Sequence, residues 1–170
     1  MEEARTRPRP PLPLSLPLGL VPERMQSLAA AQALNRIFVR ERAQGELDFL
    51  EGKHVRIRVD DAGTAFAINL NRGWFRTAEP KRTPDLSVSG TLYDYLLLIT
   101  GREDPDTLFF QRRLRMQGDT ELGVYLKNFL ASVDPTSLPL GSLVQPALNR
   151  GLSLYERLAW GIPGNPRSGS

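Results

Sequence analysis

The sequence predicts an α+β domain, with a five-stranded and mostly antiparallel sheet covered by helices. Three observations carry this. Residues 54–89 hold short runs whose apolar side chains recur at every second position, broken by turns bearing Gly and Asp. The segments before and after these runs repeat apolar residues at helical spacing instead. One further alternating run, residues 112–117, sits between two helical segments and returns the chain to the sheet.

The chain divides into an arm at 1–21, a domain at 22–134 and a tail at 135–170. In the arm, Leu12, Leu14, Leu16, Leu18 and Leu20 alternate with Pro, Ser or Gly. Proline favours an extended, polyproline-like path. The composition also fits a disordered tail, and an ordered strip of this kind could lie on the domain, on a membrane or in a groove. Arg5, Arg7 and Arg9 ahead of it follow the charge order of a signal peptide. Pro10, Pro11, Pro13 and Pro17 would break its helical apolar region, so the expected location is the cytoplasm.

The first helix is expected from Pro22 to about Gln44, stopped by Gly45. Its apolar face should carry Met25, Leu28, Leu34, Ile37 and Phe38. The first strand turns Val55, Ile57 and Val59 inward and Arg56 and Arg58 outward. After a turn at Asp61-Ala62-Gly63, Phe66, Ile68 and Leu70 repeat the period of two. A second turn at Asn71-Arg72-Gly73 leads to a strand from Trp74 to Thr77. The prolines of residues 79–84 exclude a central strand there, and a fourth strand follows at 85–89.

Thr91 and Asp94 should cap a helix over residues 92–100, ended by Gly101 and apolar almost all round. Asp104 and Pro105 should start a short helix that ends in Phe109 and Phe110. In the fifth strand Leu114 and Met116 face inward, and Arg113 and Arg115 outward. Asp119 should cap a helix to about Val133, with Leu122, Tyr125, Leu126, Phe129 and Leu130 at helical spacing. A last segment, 140–160, carries an apolar stripe that could dock on the domain, on a second copy as a homodimer, or at a membrane interface near Trp160.

Composition excludes several classes. At 170 residues the chain is about one domain long. It has no cysteine, which removes disulfides, thiolate nucleophiles and Cys-based metal sites. His54 is the only histidine and reads as a surface residue at the start of a strand. Asp60-Asp61 and Asp104/Asp106 read as turn and cap residues. No P-loop, dinucleotide fingerprint or Ser-His-Asp set occurs, so no catalytic residue, metal site or cofactor is expected. Basic and acidic residues number 22 and 19, a net charge of +3, which is too weak an excess to argue for nucleic acid. No apolar run reaches the roughly 18 residues of a membrane span. Much apolar surface with little reactive chemistry points to holding an apolar molecule.

The run DPDTLFFQRRLRMQGDTELGVYLKN, residues 104–128, resembles the sterol-carrier-protein-type-two (SCP-2) lipid-binding family. Within it the run is similar to the bacterial UbiT branch of ubiquinone-biosynthesis accessory factors. The resemblance spans about residues 34–133. It implies an apolar tunnel between sheet and helices and a role without catalysis. The implied ligand is a polyprenylated quinone or its precursor, presented to modifying enzymes of the oxygen-independent route such as UbiU and UbiV. An anionic phospholipid binder or transfer protein is the alternative. On this reading Phe38, Leu96, Leu97, Ile99, Phe109, Phe110, Leu126, Phe129 and Leu130 are candidate lipid-binding residues, although plain core is the favoured reading for Phe109, Phe110, Leu126, Phe129 and Leu130 and an equal one for the 96–99 run. Arg112, Arg113 and Trp160 are candidates for a lipid head group or a membrane.

Overall fold

In the computed structural model, residues 20–79, 81–134, 150, 151, 153, 154 and 157 are described. The Pro/Leu arm through residue 19, most of the tail stripe and Trp160 lie outside them. Helix α1 spans Glu23–Ile37 and α2 spans Val39–Ala43. Strands β1 (His54–Val59), β2 (Thr64–Asn71), β3 (Trp74–Thr77) and β4 (Leu86–Gly90) follow a short 3-10 turn at Asp48–Leu50. Helices α3 (Leu92–Thr100) and α4 (Pro105–Phe110) come next, then β5 (Arg115–Gly118) and α5 (Thr120–Ser132).

The five strands lie in the order β3-β2-β1-β4-β5. Three neighbouring pairs are antiparallel, and the pair formed by the central strand β1 with β4 is parallel. The mostly antiparallel sheet expected from sequence is therefore present. The hairpin turn places Arg72 and Gly73 at φ 52° and 72°, and the Glu51 carboxylate accepts from both backbone amides. Val55, Ile68, Leu70, Phe75, Leu86 and Val88 line one face of the sheet, and Leu122 and Phe129 of α5 pack on them.

The first helix departs from expectation in two ways. It breaks at Phe38 (φ −100°, ψ 38°) rather than running through to Gln44. The break turns the Phe38 ring edge-on to Phe129, with centroids 5.4 Å apart. Met25 and Leu28, expected on the buried face, are instead exposed. The buried positions are Ser27 and Ala31, and Asn35 continues their spacing.

That spacing has a structural cause, because α1 lies along the β3 edge of the sheet. Asn35 Nδ2 donates to the Phe75 carbonyl at 2.8 Å, and its Oδ1 accepts from the Phe75 amide at 2.9 Å. Ser27 Oγ accepts from the Ala67 amide at 3.0 Å. Arg42 Nε donates to the Gly73 carbonyl at 2.6 Å, and its guanidinium stacks 3.8 Å from the Trp74 ring centre. Gln26 bonds to the Thr64 hydroxyl at the start of β2. Side chains thus stand where a sixth strand would pair, which closes this edge. Replacing Asn35 by Leu should leave the Phe75 amide and carbonyl unpaired. A loss of about 1–3 kcal/mol in urea unfolding is expected, against less than about 0.5 kcal/mol for the exposed Gln32→Leu.

His54 is also placed differently from its sequence reading. It is 1 % exposed, and neither ring nitrogen has a hydrogen-bond partner among the described residues. The segment entering β4 folds back on β1. Asp85 N–H donates to the His54 carbonyl, and the Asp85 carboxylate accepts from the His54 amide at 2.7 Å. Burial, chiefly, with the nearby Arg82 and Arg56, holds the imidazole pKa below its usual 6.5, while Asp85 opposes them. The folded chain therefore binds this proton more weakly than the unfolded chain. Stability should be complete above about pH 6.5 and fall as pH drops below it, toward the lower folded-state value. Urea midpoints at about pH 8 and about pH 5.5 would show the drop, and His54→Leu should flatten it.

Candidate functional site

The opposite edge of the sheet is built by α4, β5 and α5. The Asp104 carboxylate accepts from the Thr107 amide at 3.0 Å, with Pro105 at the first helical position. Leu108 is wholly buried, and its carbonyl accepts from the amides of Arg113 and Leu114. This forces a tight corner, in which Arg112 takes φ 56°. Phe109 is thereby turned onto the core and Phe110 is left 90 % exposed. The strand ends at Gly118 (φ 121°), where an added Cβ would lie 2.3 Å from the Asp85 carbonyl oxygen. Asp119 then caps α5, accepting from the Leu122 amide at 3.0 Å. That bond and Lys53 hold its carboxyl below the usual range.

Between β5 and α5 lies an open groove of about 550 Å³. Phe109, Leu114 and Met116 form its apolar lining, with Leu86 behind them. Arg112 and Lys127 stand at its rim. Gly123 of α5 forms part of the wall, and a Cβ there would sit 3.4 Å from the Met116 sulfur. The groove falls within the range of roughly 300–1,000 Å³ seen for small-molecule sites.

The predicted residues separate into groups. Phe38, Phe109, Leu126 and Leu130 are half-buried against the same core cluster that contains Phe129. Leu97 is buried, Leu96 half-buried and Ile99 half-exposed on α3. Among the predicted residues that are described, Phe109 and Arg112 line the groove and the others do not. Arg113 is committed elsewhere. Its Nη2 lies 2.6 Å from the Asp94 carboxylate, its Nε donates to the same oxygen at 2.7 Å, and Glu103 lies 3.6 Å from Nη1. Asp94 is 1 % exposed and also accepts from the Thr91 hydroxyl. Arg112 is exposed and pairs with no acid among the described residues.

Sequence reasoning missed Lys127, Gly123 and Val124 as lining residues. The signal was present at Gly123, a glycine inside an otherwise apolar helical pattern, which often marks close approach. Lys127 is tethered to Asp106 of α4 at 2.8 Å, which joins α5 to α4 beside the groove. Among the described residues no group of acidic or histidine side chains could hold a metal ion. No helix there is long and apolar enough to cross a membrane.

A mixed five-stranded sheet with an apolar face under α5 and an open groove at its edge makes an α+β fold of the sterol-carrier type. The chain belongs to the SCP-2 sterol transfer family, whose pattern matches residues 31–131. It is 36% identical over 126 residues to the ubiquinone biosynthesis accessory factor UbiT of Escherichia coli strain K12, covering 74% of this chain and 72% of that protein. The UbiT of Escherichia coli O157:H7 matches over the same extent. Among solved structures, the UbiJ-SCP2 ubiquinone synthesis protein superposes with a TM-score of 0.51. It is 18% identical and covers 62% of this chain and 93% of its own, a likeness of fold.

The Asp94 contact separates two arginines that look alike in sequence. Arg113→Met should cost about 3 kcal/mol or more in urea unfolding, because it strands a buried carboxylate. Arg112→Met should leave stability within about 0.5 kcal/mol.

Proposed function

We propose that the protein is a non-enzymatic accessory factor of ubiquinone biosynthesis. It binds the isoprenoid tail of a quinone or precursor and presents the ring to modifying enzymes. The observation that carries this reading is the 36% identity to UbiT across three quarters of the chain. The family name, with sterol transfer in it, supports an apolar ligand. The finer expectations, an enclosed tunnel, the oxygen-independent route and partnership with UbiU and UbiV, belong to the same proposal.

The physical case rests on solubility. Each buried methylene is worth about 0.8 kcal/mol, so a five-carbon isoprenoid unit gains about 4 kcal/mol on leaving water. A few units offset the cost of association, roughly 4–15 kcal/mol. Enzymes working in water gain access to such a substrate only through a carrier or a membrane. Phe109 lines the groove, and it packs on the same core cluster as Leu126, Phe129 and Leu130. Ring chemistry would take place outside the protein, with Arg112 and Lys127 beside the polar end.

Arg112 also favours a second reading, an anionic phospholipid whose phosphate meets a guanidinium that pairs with no acid among the described residues. One measurement discriminates. The purified full chain is extracted with organic solvent and the extract analysed by mass spectrometry. A prenylated quinone or phenol in near-stoichiometric amount is expected. Phospholipid alone would give the second reading. An extract without lipid, together with no uptake of added ubiquinone, would overturn both.

A further inference from the structure

We propose that β5 pairs antiparallel with β5 of a second copy, across a two-fold axis at Gln117, so that the two sheets join edge to edge. This goes beyond the ligand reading and does not rest on it.

The two edges of the sheet are unequal. The β3 edge is occupied by Asn35 and Arg42. β5 ends the sheet on the other side, and among the described residues no strand pairs with its outer edge. Its register sets Gln117 level with Ser87 and Arg115 with Ser89, and the Asp119 amide donates to the Asp85 carbonyl. In an antiparallel ladder such alternate residues turn both N–H and C=O toward the neighbouring strand. Those of Met116 and Gly118 therefore point away from β4. The groove follows this edge, because every residue from 114 to 120 lines it. An unpaired row of this kind is a template for another strand.

The groups that are free select the occupant and the register. On one side the next outward amide, that of Leu114, already donates to the Leu108 carbonyl. On the other side α5 begins at Thr120. Met116 and Gly118 are left between them, and a second β5 offers the same two residues. With Met116 opposite Gly118 of the second copy, the two strands exchange four hydrogen bonds and use all of these groups. A shift of two residues either way brings in Leu114 or Thr120 and loses bonds. A self-complementary contact of this kind has two-fold symmetry.

The side chains agree with that register. Arg115 falls opposite Asp119 of the second copy, so unlike charges meet on both sides of the axis. Both side chains are partly exposed beside their present partners, Asp60 and Lys53. Gln117 falls opposite itself on the axis, where either charge would meet its own sign. Val124 of α5 lines the same groove and is 50 % exposed, on the side that the second copy covers. The two grooves then face each other across the joint.

Light scattering of the full chain over a concentration series, with cysteine placed at single sites, tests this. The natural sequence has no cysteine, so Gln117→Cys and Arg115→Cys each carry one. Both positions are exposed, so neither variant should disturb folding. Twice the single-chain mass is expected at high concentration. Under mild oxidation Gln117→Cys should give a disulfide-linked dimer, because the two copies of residue 117 form a pair without mutual hydrogen bonds, with Cα atoms about 4.5 Å apart. Arg115→Cys should cross-link about tenfold more slowly or less, since its counterpart lies four residues along, about 13 Å away. A single-chain mass at every concentration overturns the proposal. So does a dimer in which the two variants cross-link equally, or in which neither does, because the contact then lies elsewhere. Slow exchange of the Met116 and Gly118 amides in dilute, single-chain protein overturns it and assigns the edge to another segment of the chain. Association that requires added phospholipid vesicles overturns it in favour of a lipid surface.

Discussion

Backbone amides and carbonyls at the rim of a sheet must find partners, and this requirement shapes the molecule more than any single apolar contact. On one rim the answer is a helix that uses side chains as a strand. Asn35 reproduces both hydrogen bonds that a neighbouring residue would give Phe75. That role explains why α1 buries Ser27 and Ala31 in place of its larger residues: only small groups let the helix axis approach the strand. Among the described residues no helix covers the other rim in this way, and the groove and the exposed Phe110 lie there.

The corner between α4 and β5 converts this free rim into a shaped surface. Arg113 reaches back to a buried carboxylate at the start of α3, and Lys127 ties α5 to Asp106 of α4. Both contacts fix the segment in which consecutive phenylalanines take opposite fates. Phe109 joins the core and Phe110 faces solvent because adjacent residues of a helix point about 100° apart. Neighbouring arginines divide in the same way, one structural and one available. The separation of a buried ion pair from an exposed cation is a division between stability and recognition made within three residues.

Much of the fold was legible in the residues. The caps at Thr91, Asp104 and Asp119 act as their types and spacing imply, and β1 to β3 fall where the two-residue period puts them. These features depend on local chemistry. The misreadings share the opposite property. His54 is buried because Asp85, 31 residues away, folds across it, and nothing beside His54 signals that. Met25 and Leu28 satisfy a helical period, yet the face that packs is chosen by the sheet edge. Arg113 alternates with inward residues as an exposed strand position should, but its partner comes from another helix. The groove was half legible: Phe109 and Arg112 stood out by type, whereas Lys127 needed the docking of α5 on α4.

The parallel pairing of β1 with β4 has a consequence for how the chain folds. Val55 meets Leu86 and Val59 meets Gly90, each across a separation of about thirty residues filled by β2 and β3. Closing so long a loop early costs chain entropy that few contacts offset. The β1–β2–β3 meander, joined by tight turns, supplies short-range pairing first and brings the two ends of that loop together. The bonds of Asp85 to His54 and of Asp61 to the Leu92 amide then tie the crossover at both ends. On loop-closure entropy alone, the pairing at the centre of the finished sheet is its costliest seam to close, and without it β1 would be an open edge.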